Sequence, residues 1–289
     1  MSLDNFIPTV WSARLLANLN KVLVFAQPGV VNRDYEGEIT ALGDSVKINS
    51  IGRVSIGNYT KNTNITAPET LSDAQTVLTI TQSKYFNFQI DDVDKAQQKP
   101  KLMDDAMGEA AYALNNTIDG YIAGMYTDAA SANLIGDDTT PKTVGLGTGD
   151  SGAYNLIVNA KTKLDEANVP QAGRWLIIPP WIEALLLQDE RFVKFGTPPQ
   201  DERLLNGQIR RVSGFNILTS NNISNTSGAK YKLMFGHPMA ISHAMQINQT
   251  EAYRPEARFA DAVKGLALYG AKVVRPDALG VITASKGTL

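Results

Sequence analysis

Apolar and polar residues alternate with period two at four places in the first third of the chain. Val46 and Ile48 flank Lys47, Val54 and Ile56 flank Ser55, and Leu78 and Ile80 flank Thr79. Phe86, Phe88 and Ile90 alternate with Asn87 and Gln89. That period predicts strands with one buried face and one wet face. Between Gly57 and Gln75 the residues turn polar: Asn58, Thr60, Lys61, Asn62, Asn64, Thr66, Pro68, Glu69. The stretch from about Glu36 to Asp91 therefore reads as a long hairpin with an exposed tip. A hairpin of that length cannot bury both faces on its own domain, and another subunit is the natural cover.

The period then changes. Met103, Met107, Ala110, Leu114, Ile118, Tyr121 and Met125 recur in steps of three and four, one stripe of a helix running from about Pro100 to Asp128. At 1.5 Å per residue it would be roughly 40 Å long. Pro100 suits its first turn, and Asp104, Asp105 and Glu109 its positive end. Gly108, Gly120 and Gly124 mark places where another element could pack closely. Ahead of the hairpin, Trp11, Leu15, Leu16, Leu19, Val22 and Leu23 predict a shorter helix, ended by Pro28-Gly29. It packs on the body or lies as an arm on a neighbour.

Ser131 to Gly152 is polar and Gly-rich, a linker or surface loop. An α/β pattern follows. Tyr154–Ala167 and Trp181–Lys194 read as helices and Trp175–Ile178 as a short buried strand. Gln208–Val212 and Phe215–Thr219 read as a hairpin turning at Ser213-Gly214. Leu233–Phe235 and Met239–Ala244 are further apolar runs. Gln246 to Leu289 returns to β character, with Val263–Val274, a turn at Pro276-Asp277 and a last strand at Val281-Ile282. The pattern suits one domain interrupted by an insertion and completed by the final segment.

Composition narrows the function. Hydrophobic residues make up 43% and charged residues 19% of 289, enough for a sizeable core. The net charge of −2 and the lack of any basic run longer than Arg210-Arg211 exclude a dedicated nucleic-acid binder. With no cysteine there is no disulfide framework and no thiolate metal site, which suits a reducing cytoplasm. Met1 to Val10 does not have the pattern of a signal peptide, and no apolar run is long enough to span a membrane.

Candidate chemistry is thin. Gly147-Thr148-Gly149-Asp150-Ser151-Gly152 has the spacing of a dinucleotide loop, but Thr139 to Leu146 does not read as the strand such a loop needs. His237 and His243 are six apart, not on one helical face as metal ligands at i and i+4 would be. The acidic pairs Asp91-Asp92, Asp104-Asp105 and Asp137-Asp138 suit solvated faces and helix starts better than facing carboxylates. No catalytic residue, cofactor or metal site is assigned, and the chain reads as a structural protein.

The order of elements is itself informative: an N-terminal arm, a long hairpin, one long helix, an α/β insertion and returning strands. With Phe6-Ile7-Pro8-Thr9-Val10-Trp11, Gly43-Asp44-Ser45-Val46-Lys47-Ile48, Asp91-Asp92-Val93-Asp94-Lys95-Ala96, Trp175 to Trp181, Gly214-Phe215, Ser220-Asn221-Asn222-Ile223 and Leu268-Tyr269-Gly270-Ala271-Lys272-Val273, it resembles the tailed-phage major capsid proteins, in particular the short phage coat proteins. The resemblance covers essentially the whole chain and implies the α+β Johnson fold. Residues 1–35 would be the N-terminal arm and 36–91 the extended hairpin (E-loop) with flanking peripheral-domain (P-domain) strands. Residues 92–130 would hold the P-domain spine helix, 131–245 the α/β axial domain (A-domain), and 246–289 the strands completing both.

What the resemblance implies for function is a virion shell protein. Hexamers and pentamers of this chain would close into an icosahedral head around non-specifically packaged double-stranded DNA. Assembly would take place in the bacterial host cytoplasm, with a separate scaffolding protein and a portal protein and no membrane. Trp11, Lys61, Asn64 and Glu69 are the expected intersubunit contacts. Lys61 could be the amine of a covalent crosslink, although noncovalent locking is the expectation. Two other readings are an encapsulin-like nanocompartment shell and a soluble α/β nucleotide-binding enzyme using the Gly147 loop.

Overall fold

A computed structural model describes residues 23–36, 43–51, 56, 58–59, 61–62, 64, 73–91, 102–147, 149–189, 211–257 and 259–287. Two of the alternating stretches form the predicted hairpin, while Val54 and Ser55 of a third lie outside the described residues. Strand β1 (Ser45–Ile51) pairs antiparallel with β2 (Asp73–Thr79), from Ser45↔Thr79 to Ile51↔Asp73. The next alternating stretch, β3 (Gln82–Asp91), leaves the hairpin and joins a second sheet. The inner face of the hairpin, Val46, Ile48 and Leu78, buries against Ala244 and Leu268, with Tyr35 and Val274 at the margin.

The helical stripe becomes α1 (Leu102–Ala123), about 33 Å at 1.5 Å per residue. It is shorter than expected because residues 124–128 tighten into a 3₁₀ turn. Met107, Ala111, Leu114, Ile118 and Ile122 are buried along it. The expectation for the helix glycines fails. A Cβ added at Gly108, Gly120 or Gly124 would meet nothing within 4 Å, so these glycines are not sites of close packing.

Beneath α1 lies a three-stranded antiparallel sheet in the order β11-β12-β3. Its long members are β11 (Ile241–Tyr253) and β12 (Ala260–Val273). Phe86, Phe88, Val263, Ala267 and Tyr269 belong to the same core as the apolar stripe of α1. Tyr121 of α1 meets Tyr269 edge-on, with ring centroids 5.5 Å apart. The Met239–Ala244 run is split: residues 238–240 form a 3₁₀ turn started by Pro238, and only from Ile241 does the strand begin.

The third sheet has eight strands. Along its main path the order is β4 (Leu134–Ile135), β13 (Leu279–Lys286), β10 (Lys230–Gly236), β6 (Trp175–Ile178), β8 (Phe215–Thr219) and β7 (Arg211–Val212). Strand β5 (Lys142–Val144) adds to β13, and β9 (Asn225–Thr226) to β10. The presumed loop 131–152 thus contributes two short strands, both parallel to β13. Their two- and three-residue lengths are too short to leave a periodic signal. Helices α2 (Ala153–Glu166) and α3 (Pro180–Gln188) complete this layer, with α3 ending six residues earlier than expected. All four residues of β6 are buried, as a continuous apolar run requires. Strands β7 and β8 form the expected hairpin, Val212 opposite Phe215. Ser213 and Gly214 both have φ above +40°, the two-residue turn whose twist matches the strands. The chain's end therefore feeds both large sheets, β12 beside β3 and β13 between β4 and β10.

The predicted N-terminal helix lies outside the described residues up to Val22; residues 23–27, which it was expected to include before Pro28-Gly29, are not helical and begin an irregular strap over residues 23–36. The strap turns where Pro28-Gly29 predicted, with the Val30 N–H donating to the Gln27 carbonyl at 2.9 Å.

Candidate interaction surfaces

The segment between β1 and β2 carries two strongly exposed apolar groups. Ile56 is 97% and Tyr59 74% exposed, and Lys61 and Asn64 beside them are exposed too. Large apolar side chains held in water with no cover within their own subunit mark contact surface. Of the four contact residues expected from sequence, Lys61 and Asn64 sit together here. Trp11 and Glu69 lie outside the described residues.

A second open surface is the face of the three-stranded sheet turned away from α1. The hairpin root covers one end of it, at Leu268. Beyond that end, Tyr85 lies across from Leu266 and Asn87 across from Lys264. Tyr85 is 81% exposed. Lys264 pairs with Glu251 at 2.9 Å and lies 5.0 Å over the Tyr253 ring, whose hydroxyl meets Asn87. With Gly265, five of these residues line a shallow depression of about 290 Å³. Sequence reading missed this face, although Tyr85 at a polar-facing strand position was a visible anomaly.

The strap is held by a group that sequence reading also missed. Asp119 of α1 is 2% exposed. Its carboxylate accepts the backbone N–H groups of Val24 at 2.9 Å, Phe25 at 3.1 Å and Ala26 at 3.2 Å. Burial pushes its acidity weaker than an ordinary carboxyl, and the three N–H bonds oppose that shift. A carboxylate one residue after Ile118, inside the apolar arc, was the available signal. One turn earlier, Asn115 is as deeply buried, and neither atom of its amide has a hydrogen-bond partner.

At its other end the strap joins β11. The Asn32 N–H donates to the Ile241 carbonyl at 2.8 Å, and the His243 N–H to the Asn32 carbonyl at 2.9 Å. His243 is fully buried. Its Nδ1 donates to the Gly270 carbonyl at 3.1 Å, and its Nε2 has no partner. Burial, with the positive Arg33 nearby, lowers its pKa to about 4, so the ring is neutral at pH 7. His237 caps the 3₁₀ turn, accepting the Met239 N–H on Nδ1. Both histidines are structural.

The Gly147 loop does have a strand before it, contrary to expectation, and α2 follows. Yet the Asp150 carboxylate accepts the Gly147 N–H at 3.1 Å. The chain's own anion occupies a donor that a pyrophosphate would need and would repel one. Asp137 accepts the N–H groups of Thr139 and Thr140, and those bonds hold its pKa below the usual carboxylate range. Asp138 pairs with the buried Lys232 ammonium, which also bonds the Thr283 hydroxyl and faces the Tyr126 ring. Among the described residues no three acidic or histidine side chains gather as metal ligands would. No described helix is long and apolar enough to cross a membrane.

Comparison with known proteins gives the family directly. The phage capsid protein family model matches residues 74–284. A solved structure from Mycobacterium phage Che8 is 29% identical, with 90% of each chain covered and a TM-score of 0.70. The capsid of Ralstonia phage GP4 shares the fold at 13% identity, with 92% of this chain and 89% of that one covered and a TM-score of 0.66. The capsid structure of the cyanophage P-SCSP1u does so at 20% identity, 87% and 85% coverage and a TM-score of 0.63. No curated protein matches the chain.

Proposed function

The chain belongs to the phage capsid protein family and is the major capsid protein of a tailed phage's icosahedral head, and from that premise we propose how its copies interlock. The hairpin is the extended loop, and its tip, with Ile56, Tyr59, Lys61 and Asn64, docks on a neighbouring copy. Glu69 and Trp11 join the same set of contacts. The open sheet face at Tyr85 and Leu266 is a surface fit to receive an apolar tip. A protruding apolar patch on one side and a receiving surface on another make a heterologous contact, the kind that closes rings.

In this reading α1 is the spine of the peripheral domain. Residues 131–245 form the axial domain, whose loops meet around the five-fold and six-fold axes, and residues 246–289 complete both. A separate scaffolding protein and a portal protein are the further partners. The packaged double-stranded DNA is held without sequence preference, which suits a net charge of −2. Lys61 serves as a noncovalent contact.

The observation that carries the interlocking scheme is the exposure of Ile56 and Tyr59. Negative-stain electron microscopy of the purified protein, alone and with its scaffolding protein, tests it. Closed shells or sheets of hexameric rings are expected. Uniform small particles in both samples would refute it.

A further inference from the structure

One carboxylate accepts three successive backbone N–H groups, those of Val24, Phe25 and Ala26. Each peptide is planar, so aiming three consecutive N–H groups at one point fixes three peptide planes and the path of the chain through them. The acceptor is on α1, whose buried face packs on the three-stranded sheet. Six residues after Ala26 the strap is fixed again. Asn32 bonds to β11, and Tyr35 packs on the apolar cluster at the hairpin root. The strap is therefore tied to the long helix at one end and to the root of the hairpin at the other.

Only a carboxylate suits this position. It offers two oxygens and no donor. Oδ2 takes the Val24 N–H, and Oδ1 takes those of Phe25 and Ala26. An Asn would turn an NH₂ toward at least one of these donors. Burying a carboxylate is costly unless it is fully bonded, so the residue is ill chosen for simple stability and well chosen for holding one backbone path. The residues before Leu23 include the apolar stripe Trp11, Leu15, Leu16, Leu19 and Val22.

We propose that Asp119 is a positioning residue for shell assembly: it clamps residues 24–26 to α1 and so holds the strap, and with it the hairpin root at the strap's other end, in the path from which regular shells are built. The assembly half rests on the capsid reading above, and the clamp half does not.

Hydrogen exchange on the unassembled wild-type subunit tests the clamp. Amides 24–26 should exchange as slowly as the buried amides of α1, and free exchange there would overturn the proposal. Asp119→Asn tests assembly, with Ile177→Val as a control that loosens the core far from the strap. D119N should keep α1 protected and lose at least about tenfold protection at residues 24–26. The shells should become irregular, as open sheets or mixed sizes, while I177V makes regular ones. Regular D119N shells of wild-type diameter would overturn the proposal. If D119N does not fold, Asp119→Glu replaces it. That change keeps both oxygens but moves them one methylene outward, and the same irregular shells are expected. Wild-type protein that never forms shells, yet protects amides 24–26, would remove the assembly half and leave the clamp.

Discussion

Acid should weaken the junction between the strap and β11 through one residue. His243 has no exposure, donates through Nδ1 to the Gly270 carbonyl, and leaves Nε2 buried and unpartnered. A second proton would put a charge there beside Arg33, and the ring's pKa is accordingly lowered to about 4. In the unfolded chain it is near 6.5. A depressed folded pKa means that the unfolded chain takes up the proton first. The stability contributed is fully present above pH 6.5 and is lost as the pH falls toward about 4. At 1.36 kcal/mol per pKa unit the loss comes to about 3 kcal/mol, a large share of a typical domain's total. The comparison variant is His243→Asn, whose amide N–H can replace the Nδ1 donor without titrating. It should be less stable at pH 7.5 by about 1–2 kcal/mol, for the smaller side chain. Urea unfolding of the unassembled subunit from pH 7.5 to 4 is the assay. Carboxylates titrate in both proteins and cancel in the difference, so the gap between the curves should close or reverse as the pH falls. Parallel curves would refute the assignment of this pH dependence to His243.

Three other changes follow from the packing. A Cβ at Gly270 would sit 2.5 Å from the Thr79 carbonyl oxygen, so Gly270→Ala should lower the subunit's melting temperature by a strain of about 1–3 kcal/mol. Unchanged melting would show that the hairpin root yields freely. Asn115→Leu removes a buried amide with no partner and should stabilise the isolated subunit by about 1 kcal/mol in urea titrations. A loss of that size instead would mean the amide is bonded in solution. Ile56→Ser with Tyr59→Ser should leave subunit melting unchanged and raise the concentration needed for assembly by about tenfold or more, since each buried large side chain is worth 1.5–3 kcal/mol. Light scattering against concentration reads this, and an unchanged threshold would take the tip out of the interface.

The readable features were those with long periods. Alternation around Val46–Ile48 and Leu78–Ile80 announced β1 and β2, and 22 residues of helical spacing announced α1. Ser213-Gly214 announced its own turn. Strands β4, β5 and β9 are two or three residues long, too short for any period to register, and they exist because β13 and β10 offer edges to pair with. Asp119 and Lys232 read as ordinary helix and strand charges. Their roles depend on backbone and carboxylate groups about 94 residues away, which no local window contains.

By its own periodicities and order of elements, the sequence determined that this is a hairpin-and-long-helix α+β protein with a capsid-like plan. Those properties are carried by local spacing, because burying one face of a strand or helix demands its period wherever the element ends up. Tertiary structure decided the rest: that β3 pairs with β12 and not with the hairpin, that the final segment serves two sheets, and that a carboxylate in the apolar arc of α1 clamps the strap. Long-range pairing is chosen by the total burial and hydrogen bonding of the closed structure, a sum over contacts distant in sequence.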